Sequence, residues 1–166
     1  MEERKYAIKV VITTTMRYIE ILEPKIKMSS SREILDWLYS EIGCDMVEMA
    51  QHPLLKGYAL LIDENGIANN KEPNLHTGIS LLFGNVIILK DNPWRGNWRL
   101  LTKSEVKNIV KEFEFNFDTY VGSKFETRVQ NLPYNDEIKT RILNNRFKIM
   151  YLDHNVVDAK NQLKHL

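Results

Sequence analysis

Apolar positions near the start of the chain recur every second residue. Tyr6, Ile8, Val10 and Ile12 alternate with Ala7, Lys9, Val11 and Thr13, which predicts a β-strand. Arg17 to Leu22 predicts a second strand, stopped by Pro24. The period then becomes helical. Ile34, Leu35, Leu38 and Ile42 share one face, Ser30 and Glu33 form a capping box before them, and Gly43 supplies a left-handed stop. A helix over residues 31–42 follows. Asp45 to Ala50 and Lys56 to Asp63 read as two strands joined through His52-Pro53. Asn65-Gly66 suits a type I′ turn leading into a further short strand. Asn69 to Gly78 is polar, contains Pro73 and reads as a loop. The run Val86 to Lys90, VIILK, predicts a central strand. Thr102 and Glu105 form a second capping box before Val106, Ile109, Val110 and Phe113, a helix over about 103–114.

Beyond Phe115 the character shifts. Residues 1–114 carry 15 basic and 16 acidic side chains, whereas residues 115–166 carry 8 and 6. This second segment predicts a helix near 136–145, a short strand from Phe147 to Leu152, and a C-terminal helix with Val156, Ala159 or Lys160, and Leu163 on one face. The fold class expected is α+β: a mixed, mainly antiparallel sheet packed against two helices, with a C-terminal α/β extension. The division expected is a core domain, 1–114, and an extension, 115–166, docked on the core or used in self-association.

Composition narrows the function classes. The net charge of +1 over 166 residues argues against an acidic nucleic-acid mimic and against a dedicated, highly charged nucleic-acid binder. The single cysteine, Cys44, excludes an intrachain disulfide and fits a reducing cytosol, in the role of a small buried apolar residue. Lys9 interrupts the early apolar run, so neither a signal peptide nor a membrane span is expected.

Several of these elements fall in a recognisable order. The helix Ile34 to Ile42 is followed by Met46-Val47-Glu48-Met49, by the turn Asp63-Glu64-Asn65-Gly66, by the loop Asn69-Asn70 through Pro73-Asn74, and by Gly84-Asn85-Val86-Ile87-Ile88. Over about residues 31–114 this resembles a family of small phage and mobile-element proteins known as domain of unknown function 3846. The chain departs from that pattern in its extension and in the Trp-rich segment 93–99. The resemblance implies an accessory protein in a bacterial host cytosol, a setting in which such proteins often counter host defence. It carries no catalytic residues.

Four groups of residues are candidates for chemistry. Trp94, Arg95, Trp98 and Arg99, followed by Lys103, offer aromatic faces for a base and guanidinium groups for phosphate, or else a loop packed on the core with solvated arginines. Asn69, Asn70, Asn74 and His76 offer amide and imidazole edges to a ligand, or else simple turn chemistry. Lys103, Lys107 and Lys111 form a helical stripe that suits nucleic-acid phosphates or plain solvation. His52, His76, His154 and His165 show no metal-ligand spacing, and no nucleotide-loop, hydrolase or zinc-protease motif is present.

The expectation is therefore a non-enzymatic protein without metal or cofactor, forming a homo-oligomer. It is expected to interfere with a host bacterial system by binding a host protein. The alternative is a sponge that sequesters a small signalling nucleotide at a subunit interface. A nucleic-acid-binding protein is the second alternative.

Overall fold

The computed structural model describes residues 4–27, 29–92, 97–115, 122–144 and 147–148. Strands β1 (Ala7–Ile12) and β2 (Arg17–Leu22) form the first hairpin, and helix α1 (Ser31–Ile42) follows. Strands β3 (Val47–Ala50), β4 (Tyr58–Asp63), β5 (Pro73–His76), β6 (Leu81–Phe83), β7 (Val86–Asn92) and β8 (Asn97–Arg99) lead to helix α2 (Lys103–Phe115). Helices α3 (Ser123–Gln130) and α4 (Asp136–Asn144) and the short strand β9 (Phe147–Lys148) come last.

The main sheet has seven strands in the order β3-β4-β7-β1-β2-β9, with β8 paired to β7. All its pairings are antiparallel except β2 with β9. The α+β class with a mainly antiparallel sheet is what the structure shows. Strand β7 is central, as the VIIL run suggests. Val86 and Ile88 face one hydrophobic cluster with Val106, Ile109, Val110 and Phe113 of α2. Ile87 and Leu89 face the other, with Ile34, Leu38 and Ile42 of α1. Burial on both faces explains why this strand reads as an unbroken apolar run rather than an alternation.

The two capping boxes form. Ser30 Oγ accepts from Glu33 N at 3.3 Å, and Gly43 ends α1 at φ 75°. Thr102 Oγ1 accepts from Glu105 N at 3.2 Å, while Glu105 Oε1 accepts from Thr102 N at 3.0 Å.

The segment 64–78 departs from expectation. No type I′ hairpin follows Asp63, because neither Asn65 nor Gly66 has positive φ. Asp63 Oδ1 instead accepts from Asn65 N at 2.8 Å, and Asn69 N bonds to Asn65 O at 2.8 Å in a helix-like turn. Gly66 is needed for space: a Cβ there would lie 3.1 Å from both Cβ and O of Phe83. No strand directly follows it. The predicted loop 69–78 contains strand β5, which pairs with β6 in a separate two-stranded ribbon.

Leu75 and Leu82 of that ribbon join the α2-side core. Its other neighbours come from the extension. Phe125, Val129 and Ile142 form a third cluster with Leu81, and Arg141 pairs with Glu72 at 2.9 Å. The 149–152 part of the predicted last strand and the C-terminal helix lie outside the described residues. No helix among the described residues is long and apolar enough to cross a membrane.

Candidate functional site

The residues expected to bind a ligand separate in the structure. Trp94 and Arg95 lie outside the described residues. Trp98 is half-buried against the α1-side core. Arg99 grips Glu105 with both terminal nitrogens, at 2.9 and 3.0 Å. That bidentate pair makes Arg99 part of the α2 cap rather than a free phosphate donor. The cap also fixes Glu105 itself. Burial works to raise its carboxyl, but Arg99 and the Thr102 backbone and hydroxyl hold it below the usual carboxylate range. Lys103, Lys107 and Lys111 are exposed on α2.

In the Asn/His segment, three asparagines serve the fold, two through their amides and one through its backbone. Asn69 Nδ2 donates to Asp63 Oδ2 at 2.9 Å. Asn70 takes the left-handed conformation at φ 56°. Asn74 is fully buried and donates to Val10 O and Gly84 O, both at 2.9 Å, tying β5 to β1 and to the start of β7. The turn-chemistry reading holds for Asn69 and Asn70, whereas Asn74 is an internal brace.

His76 differs. It lies at the end of β5, 2% exposed, and lines a cleft of about 310 Å³ together with Gly78, Lys124, Thr127, Arg128 and Asn131. One wall is the β5–β6 turn. The other is one face of α3, since Lys124, Thr127, Arg128 and Asn131 recur at helical spacing. The volume is at the small end of the roughly 300–1,000 Å³ range of ligand clefts.

Three interactions hold the walls together. Phe125 and Val129 anchor α3 through its apolar face. Arg128 Nη2 donates to Ile79 O at 2.5 Å. Arg17, only 3% exposed, donates to Pro73 O at 3.3 Å and stacks 4.7 Å from the Phe125 ring centre, so one side chain ties β5 to α3. Burial lowers its pKa to about 10, against the opposing pull of Glu72. The guanidinium remains charged at neutral pH.

The protonation pattern at His76 follows from donors that cannot reverse. Gly78 N–H donates to His76 Nδ1 at 2.9 Å, so that nitrogen accepts and the neutral ring carries its proton on Nε2. The histidine beside it behaves alike. Leu54 N donates to His52 Nδ1 at 3.1 Å, and His52 Nε2 donates to the His76 carbonyl at 3.2 Å. Burial, with Arg128 and Lys124 nearby, pushes the His76 pKa down. Burial lowers that of His52 as well. The cleft therefore presents an N–H donor from a neutral imidazole beside two cations.

A second cleft, of about 390 Å³, lies where β4 ends and is lined by Glu48, Ile62, Asp63, Glu64, Leu81 and Phe83 among others. Its carboxylates make it electronegative. No group of three or more His, Cys, Asp or Glu side chains among the described residues is placed to hold a metal ion.

The sequence reading found His76 but missed Lys124, Thr127, Arg128 and Asn131. The signal was present: Phe125 and Val129 at spacing four form a short apolar stripe, with Lys124 and Arg128 beside it at the same spacing.

No protein-family model, no curated protein and no solved structure matches the chain. The resemblance to domain of unknown function 3846 therefore rests on the motif residues alone.

Proposed function

We propose that this protein is a non-catalytic binding protein that captures a small phosphorylated ligand, of the nucleotide class, in the cleft between the β5–β6 turn and α3. The observation that supports this best is the convergence of Lys124, Arg128 and the His76 ring on one cleft. Cations beside a fixed N–H donor are the chemistry that recognises phosphate oxygens. The proposal moves the ligand site away from Trp98 and Arg99, whose groups are engaged elsewhere. In the phage or mobile-element setting implied by the resemblance, capture of a phosphorylated signal would interfere with the host response that depends on it.

The test is a thermal-unfolding screen of the full chain against nucleoside mono-, di- and triphosphates, cyclic dinucleotides and inorganic phosphate. A ligand at 100 times its dissociation constant stabilises by about 2.7 kcal/mol. That corresponds to a shift on the order of 5–10 °C for a chain of this size. The shift should vanish in Lys124→Ala/Arg128→Ala. A flat response across the panel overturns the proposal, and release of a product overturns its non-catalytic part.

A second reading, capture of a host protein, draws on the open edge of the sheet. Among the described residues strand β3 pairs only with β4, and Met49 within it and Met46 just before it are 42% and 51% exposed. An unpaired edge with exposed methionines suits strand addition by a partner. A Met46→Glu/Met49→Glu chain that still captures the same protein from bacterial lysate as the unaltered chain removes this reading.

A further inference from the structure

Resting on the phosphate-binding reading of the cleft, we infer that the group it selects is a terminal phosphate carrying two negative charges, held by Lys124 and Arg128 and by the Nε2–H of a His76 that stays uncharged.

Geometry fixes the uncharged state. A proton on Nδ1 would face the Gly78 N–H, which already donates to that nitrogen at 2.9 Å, and the two hydrogens would repel. Gly78 cannot easily turn aside, because it holds φ 96° in a turn closed by Thr77 N bonding to Ser80 O. The groups facing the imidazole from its neighbours oppose a further charge as well. From α3 they are Lys124 and Arg128, both cationic. From the segment before β4 comes His52, which donates to the His76 carbonyl. No carboxylate stands among the described residues that line the cleft.

The charge count then sets the preference. Two cations and a neutral donor match a dianion. A phosphodiester carries one negative charge and leaves one cation uncompensated. It must also place a second ester substituent within about 310 Å³. At contact distances, one additional charge in partly screened surroundings is worth on the order of tenfold in affinity or more.

Calorimetric titration of the full chain tests this with four probes: adenosine 5′-monophosphate, adenosine 3′,5′-cyclic monophosphate, inorganic phosphate and sulfate. The monophosphate should bind about tenfold or more tighter than the cyclic diester. Phosphate binding should weaken on acidification, as the dianion is lost near a pKa of about 6–7. Sulfate remains a dianion throughout, so its affinity should stay level between pH 8 and pH 5.5. His76→Gln, which keeps an N–H near the Nε2 position, should retain sulfate, whereas His76→Leu should lose it several-fold.

Sulfate affinity that rises several-fold toward pH 5.5 shows that His76 gains a proton and overturns the inference. Equal affinity for the cyclic diester overturns the selection of a terminal phosphate. Both results leave the binding role of the cleft standing. Absence of binding by all four probes removes that role along with the inference. The sulfate profile uses the unaltered chain, so it does not depend on either variant folding.

Discussion

Lys71 Nζ lies 3.0 Å from Asp63 Oδ2, and the Asp63 side chain is fully buried. The same ammonium donates to Ile42 O at 3.0 Å and Gly43 O at 2.7 Å, the free carbonyls at the end of α1. Three protons thus meet three oxygens, and one side chain joins the end of β4 to the C-terminus of α1. Lys71→Met should destabilise the fold by about 3–5 kcal/mol, since it leaves a buried carboxylate unpaired. Denaturant titration of the variant against the unaltered chain measures it, and a loss below about 1 kcal/mol would contradict the role given to the pair.

The pH dependence of stability follows from the same carboxylate. Burial works to raise the Asp63 pKa, but hydrogen bonds from Asn69, Lys71 and the Asn65 backbone hold it below its ordinary value. Glu105 is depressed in the same direction. For a depressed carboxyl the unfolded chain binds the proton first. The stabilisation is therefore complete above the unfolded values of about 4 and is lost as pH falls through the folded ones. Thermal midpoints should decline gently from pH 7 to pH 5, because the unfolded chain protonates His52 and His76 before the folded one does, and should fall more steeply below about pH 4. In Asp63→Asn the fall should be shallower.

Arg99 and Glu105 provide a control for the location of the ligand site. Arg99→Ala removes a bidentate support from the α2 cap and should cost about 1 kcal/mol, as loss of a cap does. Thr102→Ala should cost a similar amount. Neither residue lines the His76 cleft, so anion affinity should be unchanged. A selective loss of affinity in Arg99→Ala, with stability intact, would return the site to α2.

Phe125→Ala should act in the opposite manner. Phe125 is 2% exposed and carries both the third cluster and the Arg17 stack. Truncation should cost about 3–5 kcal/mol where the packing is global, and should detach α3 first. Hydrogen exchange should show faster exchange in residues 123–130 than in β1, β4 and β7, together with loss of anion binding.

Gly84 tests backbone geometry. It holds φ 84°, and an added Cβ would lie 2.7 Å from Lys71 Cδ. Gly84→Ala should cost on the order of 1–3 kcal/mol for the left-handed conformation alone. Displacement of Lys71 should add to that cost. A crystal structure of the variant should show Lys71 shifted from the end of α1.

The main elements were legible because local signals and burial agreed. Both capping boxes, Gly43 and the VIIL run lie where helix ends and the central strand lie. The segment 64–78 departs from its sequence signals for a definite reason. Asn-Gly, Pro73 and a density of amides signify turns only when their polar groups face water. Here Asp63 and Asn74 turn theirs inward to brace the backbone. The candidate site was less legible still. His76 and Lys124 are separated by 48 positions in the chain. They meet through contacts distant in sequence, among them Arg17 with Pro73 and Phe125 and Arg128 with Ile79, which no local pattern encodes.

The α3 wall of the cleft comes from the segment after residue 115, while the turn that opposes it joins β5 and β6, which precede it in the chain. During synthesis the residues of β1 to β8 emerge before Lys124 and Arg128, and only β9 of the sheet comes after them. A chain translated only as far as α2 carries His76 and Gly78 of the cleft lining and lacks the residues that α3 contributes. The cleft is therefore a late feature of the chain: both of its walls exist only once α3 has been translated and has docked.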